Sequence, residues 1–136
     1  MNLTLRAGEK LYLNGGVIRV DRKVTIELLN DVTFLLQSHV LQADEATTPL
    51  RQIYFAVQVL LMDPVAASYA IGLAEKLLGA AAQAYATPAI VAGLRSIDEL
   101  LRRRRYFEAL KALRSLYPLE AQEMSPSLAK DRSHAA

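Results

Sequence analysis

The hydrophobic period of this chain changes once, at Gln42-Ala43-Asp44-Glu45-Ala46, and that change dictates two modules of different secondary structure. Before it, apolar residues alternate with polar ones, as in Leu3 and Leu5 between Asn2, Thr4 and Arg6, and again over Val24-Thr25-Ile26-Glu27-Leu28. Leu11-Tyr12-Leu13 and Val17-Ile18-Arg19-Val20 flank Asn14-Gly15-Gly16, where Asn and Gly tolerate the positive φ of a tight hairpin. After the turn residues Asn30-Asp31, the β-branched and aromatic run Val32-Thr33-Phe34-Leu35-Leu36 reads as a further strand, with His39-Val40-Leu41 as its candidate extension. Four or five short antiparallel strands are expected.

Beyond residue 46 the period becomes helical. Thr48-Pro49 supplies an N-cap and a first-turn proline, and Leu50, Ile53, Tyr54, Val57, Leu60 and Leu61 then fall on one stripe. Phe55, Val59 and Met62 lie on the other side, so this helix packs on both faces, against sheet and helices or against another subunit. Asp63-Pro64 and Thr87-Pro88 repeat the cap-proline device, opening an alanine-rich helix through about Gln83 and another from Ala89. Ile90, Leu94, Ile97 and Leu101 share a stripe that is half a turn out of phase with Phe107, Leu110, Leu113 and Tyr117, at about 100° per residue. A break at Arg102 to Arg105 resolves the conflict, although no Gly or Pro marks it and one continuous helix serving two layers is the alternative. The fold class is therefore α+β: an antiparallel β module over residues 1–46, a helical bundle or hairpin over 47–118, and, once periodicity is lost at Pro118, a disordered tail over 119–136.

Composition narrows the chemistry. The 136 residues include no Cys and only two His, His39 and His134, which leaves thiolate, zinc and catalytic-triad chemistry poorly supplied. Asp44-Glu45 and Asp98-Glu99 are adjacent pairs, and adjacency does not bring carboxyls together in a cleft. His39 reads as a packed strand residue. No enzyme activity, cofactor, metal or small-molecule substrate is expected. The longest uncharged stretch, Leu77 to Leu94, contains Gln83, Thr87 and Pro88, and the amino terminus alternates instead of presenting an apolar core. A cytoplasmic protein without a membrane segment is expected.

Basic residues carry the remaining signal. Arg6, Lys10, Arg19, Arg22 and Lys23 all fall on the expected sheet or its turns, where they can meet phosphates, with Tyr12 as a stacking surface. Glu9, Asp21, Glu27 and Asp31 interleave with them, so a mixed solvated surface is the competing reading. Arg102, Arg103, Arg104 and Arg105 form a second candidate patch, which equally suits a helix C-terminus complementing its dipole. Residues 1–100 carry 8 basic and 10 acidic groups and residues 101–136 carry 8 and 4, so the surplus is C-terminal.

From Leu3-Thr-Leu-Arg6-Ala-Gly8-Glu9-Lys10 through Asn14-Gly15-Gly16-Val-Ile18-Arg19-Val20, the sequence resembles the FlbT family of flagellum biosynthesis regulators. Leu28-Leu-Asn30-Asp31-Val-Thr-Phe34, Thr48-Pro49-Leu-Arg51-Gln-Ile-Tyr54-Phe55 and Tyr106-Phe-Glu-Ala-Leu110 extend the likeness over most of the chain. The resemblance implies a repressor acting after transcription on the 5′ untranslated leader of flagellin mRNA, and an antagonistic relation with a second regulator, FlaF. Leu5-Arg6-Ala7-Gly8-Glu9, followed by strand, Asn14-Gly15 turn and strand, is also similar to the start of the carbon storage regulator family of mRNA-binding β dimers. There Leu5 stands where that family has a basic residue. The FlbT likeness implies a flagellin leader as partner and FlaF as a further candidate, while the apolar residues on both sides of the Pro49 to Met62 helix also favour a second copy of the chain. A protein-interaction adaptor that never touches RNA is the alternative.

Overall fold

The fold is taken from a computed structural model, which describes residues 1–124. Five strands form as the alternation requires: β1 (Asn2–Leu5), β2 (Lys10–Leu13), β3 (Gly16–Arg19), β4 (Val24–Glu27) and β5 (Phe34–Leu36). Asn14 and Gly15 take φ of 48° and 82°, the two left-handed residues of a type I′ turn, which sets Leu13 opposite Gly16 and Lys10 opposite Arg19. All pairings are antiparallel, in a two-stranded sheet β1-β4 and a three-stranded sheet β3-β2-β5. Leu3 and Leu5 from the first sheet and Leu11 and Phe34 from the second are buried in one cluster, so the two sheets share a core. Asn2, Thr4, Thr25 and Glu27 stay exposed on the other face of β1-β4.

His39-Val40-Leu41 does not extend β5. Residues Gln37–His39 form a 3₁₀ turn instead, and His39 is therefore no strand residue. The cause is Gln58, whose side chain accepts from the Leu41 N–H at 2.7 Å and donates to its C=O at 2.8 Å, satisfying both backbone groups that a ladder would have used.

Four helices follow: α1 (Pro49–Met62), α2 (Ala67–Ala84), α3 (Pro88–Arg102) and α4 (Tyr106–Glu123). Thr48 caps α1 by accepting from the Arg51 N–H at 3.2 Å. Asp63 caps a 3₁₀ turn, Pro64–Ala66, ahead of α2. One apolar side of α1 is absorbed within the chain together with Met62 of the other, while Phe55 and Val59 stay half-buried. Leu50, Ile53, Tyr54, Val57 and Leu61 join one core with residues of α2, α3 and α4, and Leu35, Tyr12, Val40 and Leu41 of the β side close it. At Gly93, α3 meets α4 so closely that a Cβ would lie 2.7 Å from Leu116 Cδ1.

The phase break falls where the stripes required it. Arg103 ends α3, Arg104 adopts φ 59°, and the N–H groups of Arg104 and Arg105 reach back to the carbonyls of Leu101 and Leu100. This pairing is a Schellman close, with arginine at the left-handed position that glycine normally fills.

The helical module continues past Pro118, and α4 ends only at Glu123. An interior proline costs a helix about 3 kcal/mol, and two carboxyl groups beyond it anchor the last turns. Buried Glu120 accepts from the Thr48 hydroxyl at 2.6 Å, the Leu50 N–H at 2.9 Å and the Tyr85 hydroxyl at 2.5 Å. Glu123 accepts from the N–H groups of Ala86 and Thr87 at 2.8 and 2.9 Å, capping the start of α3. Residues 119–124 thus belong to the fold, whereas residues 125–136 of the expected tail, including His134, lie outside the described residues. No helix among the described residues is long and apolar enough to cross a membrane.

Candidate nucleic-acid interface

Strand register decides where the cations go. Leu5 pairs with Val24 and Lys10 with Arg19, so the C-terminal ends of β1 and β3 and the N-terminal ends of β2 and β4 lie together. The Gly8 N–H donates to the Val20 carbonyl at 2.7 Å and the Val20 N–H to the Glu9 carbonyl at 3.2 Å, which ties the two connecting loops to each other. Arg6, Lys10, Arg19, Arg22 and Lys23 are consequently gathered on one rim of the β module, all exposed.

Carboxyl groups offset only part of this rim. Glu9 is half-buried on the same rim, its Oε1 engaged by the Arg6 backbone N–H at 2.9 Å and by no cationic side chain among the described residues. Asp21 pairs with Arg22 at 3.4 Å, an exposed contact worth little in water. Among the described residues Arg6, Lys10, Arg19 and Lys23 form no ion pair. Lys10 and Arg19 are moreover a non-hydrogen-bonded pair, the arrangement in which opposing side chains stand closest and like charges destabilise the ladder. Tyr12 is not a free stacking platform, since it packs against the helical core.

The arginine corner sits elsewhere. Thr33 donates its N–H to Asn14 Oδ1, and the Leu28 N–H donates to the Met1 carbonyl, so Met1, the Asn14 turn and residues 28–34 form the opposite end of the β module. Arg104 and Arg105 line a groove with Met1, Asp31 and Phe34 at that end. The run from Met1 to Arg6 covers about 16 Å at a strand's rise. Sequence reasoning named both patches, and the structure separates them. Arg102, Arg103 and Arg105 are exposed and paired with Asp98, Glu99 and Glu108 respectively. Arg104 makes no ion pair among the described residues, and its left-handed backbone costs about 1 kcal/mol.

Other charged groups that the sequence left unassigned hold the modules together. Arg114 Nη1 donates to the Tyr54 hydroxyl at 2.8 Å, and that hydroxyl donates to the His39 carbonyl at 2.5 Å. Arg51 lies over the Tyr117 ring, 4.4 Å from its centroid. Burial, helped by the Arg114 charge, lowers the His39 pKa below its usual value. Burial and then the Glu120 bond push the Tyr85 hydroxyl well above its usual range. Glu123 titrates below the usual carboxyl range although desolvation acts upward, because the Ala86 and Thr87 amides stabilise its charge. Asp44-Glu45 sits in a capped 3₁₀ turn and Asp98-Glu99 pairs with arginines. Among the described residues no group of His, Cys, Asp and Glu could hold a metal ion.

Fold and surface define a small α+β protein with a cationic rim, its buried carboxyls spent on helix capping. The chain belongs to the FlbT family, whose model, described as flagellar protein FlbT, matches residues 1–124. It is 50% identical over 124 residues to a probable flagellum biosynthesis repressor protein FlbT of Mesorhizobium japonicum, covering 91% of this chain and 84% of that protein. A protein of the same description from Chelativorans sp. is 50% identical over 123 residues, 90% of this chain and 85% of the relative. One from Agrobacterium fabrum is 46% identical over 132 residues, 93% and 89% of the two chains. No solved structure matches the chain, so the likeness of the β module to the carbon storage regulator fold gains no support there.

Proposed function

We propose that this chain represses flagellin synthesis after transcription, by binding the 5′ untranslated leader of flagellin mRNA in the cytoplasm and lowering its translation or lifetime. The observation that carries the reading is the Lys10–Arg19 pair. Two cations face each other across a ladder, with no carboxyl bonded to either and three more cations on the same rim. That arrangement costs folding energy and suits a polyanion. The relatives' description as probable flagellum biosynthesis repressors supports the direction of control.

Binding of purified protein to a flagellin leader and to a shuffled leader, at several salt concentrations, tests the reading. Each phosphate neutralised on a single strand contributes a log-log slope of about −0.7, so five rim contacts give about −3.5. Lys10→Gln with Arg19→Gln should flatten the slope by about 1.4. Equal, weak affinity for both RNAs would remove sequence-selective binding.

One observation favours the adaptor reading. Val65, in the 3₁₀ turn before α2, is 95% exposed and Tyr69, in the first turn of α2, 76%, apolar surface suited to a protein such as FlaF or to a second copy. Capture of a partner that survives RNase treatment, together with unaltered flagellin control in the Lys10/Arg19 variant, would favour it.

A further inference from the structure

The groove at the opposite end of the β module combines room for a ligand, an apolar wall built on the sheet core and a pair of unpaired charges. It encloses about 390 Å³, within the usual range for a small-ligand site of about 300–1,000 Å³. Its wall includes Val32, Phe34 and Phe107, and the two phenyl rings are locked together with centroids 4.7 Å apart, bridging strand and helix. Its charged lining includes Arg104 and Asp31, both exposed, and neither forms an ion pair among the described residues. The neighbouring arginines 102, 103 and 105 all do. Arg104 also occupies a backbone position where glycine would fold with less strain.

We infer that this groove seats one unpaired nucleotide of the bound RNA, with guanine favoured, Arg104 taking its phosphate and Asp31 its base edge. The inference rests on the RNA-binding reading and adds to it a second contact point, about 16 Å along β1 from the cationic rim. A nucleotide supplies what the lining asks for: an anion for a guanidinium, a flat ring for an apolar and aromatic wall, and N–H donors for a carboxyl. Guanine presents N1–H and N2–H side by side, matching the two oxygens of one carboxyl group. Adenine and cytosine offer an amino group beside a ring acceptor. Uracil offers a single N–H between two carbonyls that repel the carboxyl, so it ranks last. Single-stranded segments with splayed bases are the form in which RNA is usually read by sequence. An acidic peptide could also meet Arg104, but it would bring its negative charge against Asp31.

The full chain, ¹⁵N-labelled, is titrated with 5′-GMP and separately with 5′-UMP while the amides of residues 31–34 and 104–107 are followed by NMR. GMP should shift both segments and bind at least fivefold more tightly than UMP. Arg104→Gly keeps the left-handed backbone and deletes the cation. It should weaken GMP at least fivefold while the variant melts no lower than the parent. Asp31→Asn should abolish the preference for GMP over UMP. GMP leaving both segments unmoved, or both variants binding as the parent does, overturns the inference. The leader RNA separates the two claims: if the parent binds it with a steep salt slope and Arg104→Gly binds it equally well, the groove is refuted and the rim stands. If the parent fails to bind the leader at low salt, the RNA reading itself falls.

Discussion

Replacing Glu120 with alanine should be among the most damaging single changes in the helical module. Glu120 is 1% exposed and accepts three hydrogen bonds, from the Thr48 hydroxyl, the Leu50 N–H and the Tyr85 hydroxyl. Thr48 is half-buried and can turn to water, but the Leu50 N–H and the Tyr85 hydroxyl lie in the core. A buried donor left without a partner costs about 1–3 kcal/mol, so two of them set the expected loss at about 4 kcal/mol. That is a large share of the 5–15 kcal/mol typical of a domain. With a urea m-value of about 2 kcal/mol/M, the midpoint should fall by about 2 M. Equilibrium unfolding in urea, followed by circular dichroism, measures it. Glu120→Gln retains one carbonyl oxygen, and the Tyr85 hydroxyl can accept from its amide, so roughly half the loss is expected. A midpoint for Glu120→Ala within about 0.5 M of the parent would refute the claim that Glu120 clamps α4 to the start of α1 and the end of α2.

Other perturbations probe separate parts of the structure. Gly93→Ala places a methyl 2.7 Å from Leu116 Cδ1 and should cost about 1–3 kcal/mol by driving the buried Leu116 side chain from its packed position, read from the same urea curves. Arg104→Gly should raise stability by up to about 0.5 kcal/mol, since relief of a left-handed arginine at least matches the added freedom of the unfolded glycine; a lower midpoint would contradict the strain argument. The His39 pKa is lowered, so below about pH 6.5 the unfolded chain takes up a proton that the folded chain resists, and stability falls as pH drops. His39→Gln should flatten that limb of a pH–stability curve. The raised Tyr85 pKa acts at the other end: above about pH 10 the unfolded chain ionises first, so stability declines with rising pH, less steeply in Tyr85→Phe.

What the sequence made legible follows from where the physics is local. Period two and the Asn14-Gly15 turn specify the hairpin because side-chain alternation and positive φ are properties of neighbours. The α3–α4 break was legible from phase alone, even though Arg104 replaces the glycine that would have marked it. Long-range partners were illegible. Pro118 read as the end of order because the residues that hold α4 beyond it, Thr48, Leu50 and Tyr85, lie 72 to 35 positions away. The β5 extension failed for the same reason, since Gln58 clamps Leu41 across 17 positions. The five rim cations could be named from charge, but their convergence depends on which strands pair. The isolation of Arg104 among paired arginines depends on where Asp98, Glu99 and Glu108 point.

The most direct measurement compares leader-RNA affinity and folding stability in one charge-reversed variant, Lys10→Glu with Arg19→Glu. Because one substitution per strand leaves the ladder intact and ends only one like-charge contact by creating another, urea unfolding should be nearly unchanged. Affinity for the flagellin leader should drop at least tenfold at low salt. A variant that folds normally and still holds the leader as tightly as its parent would contradict the account.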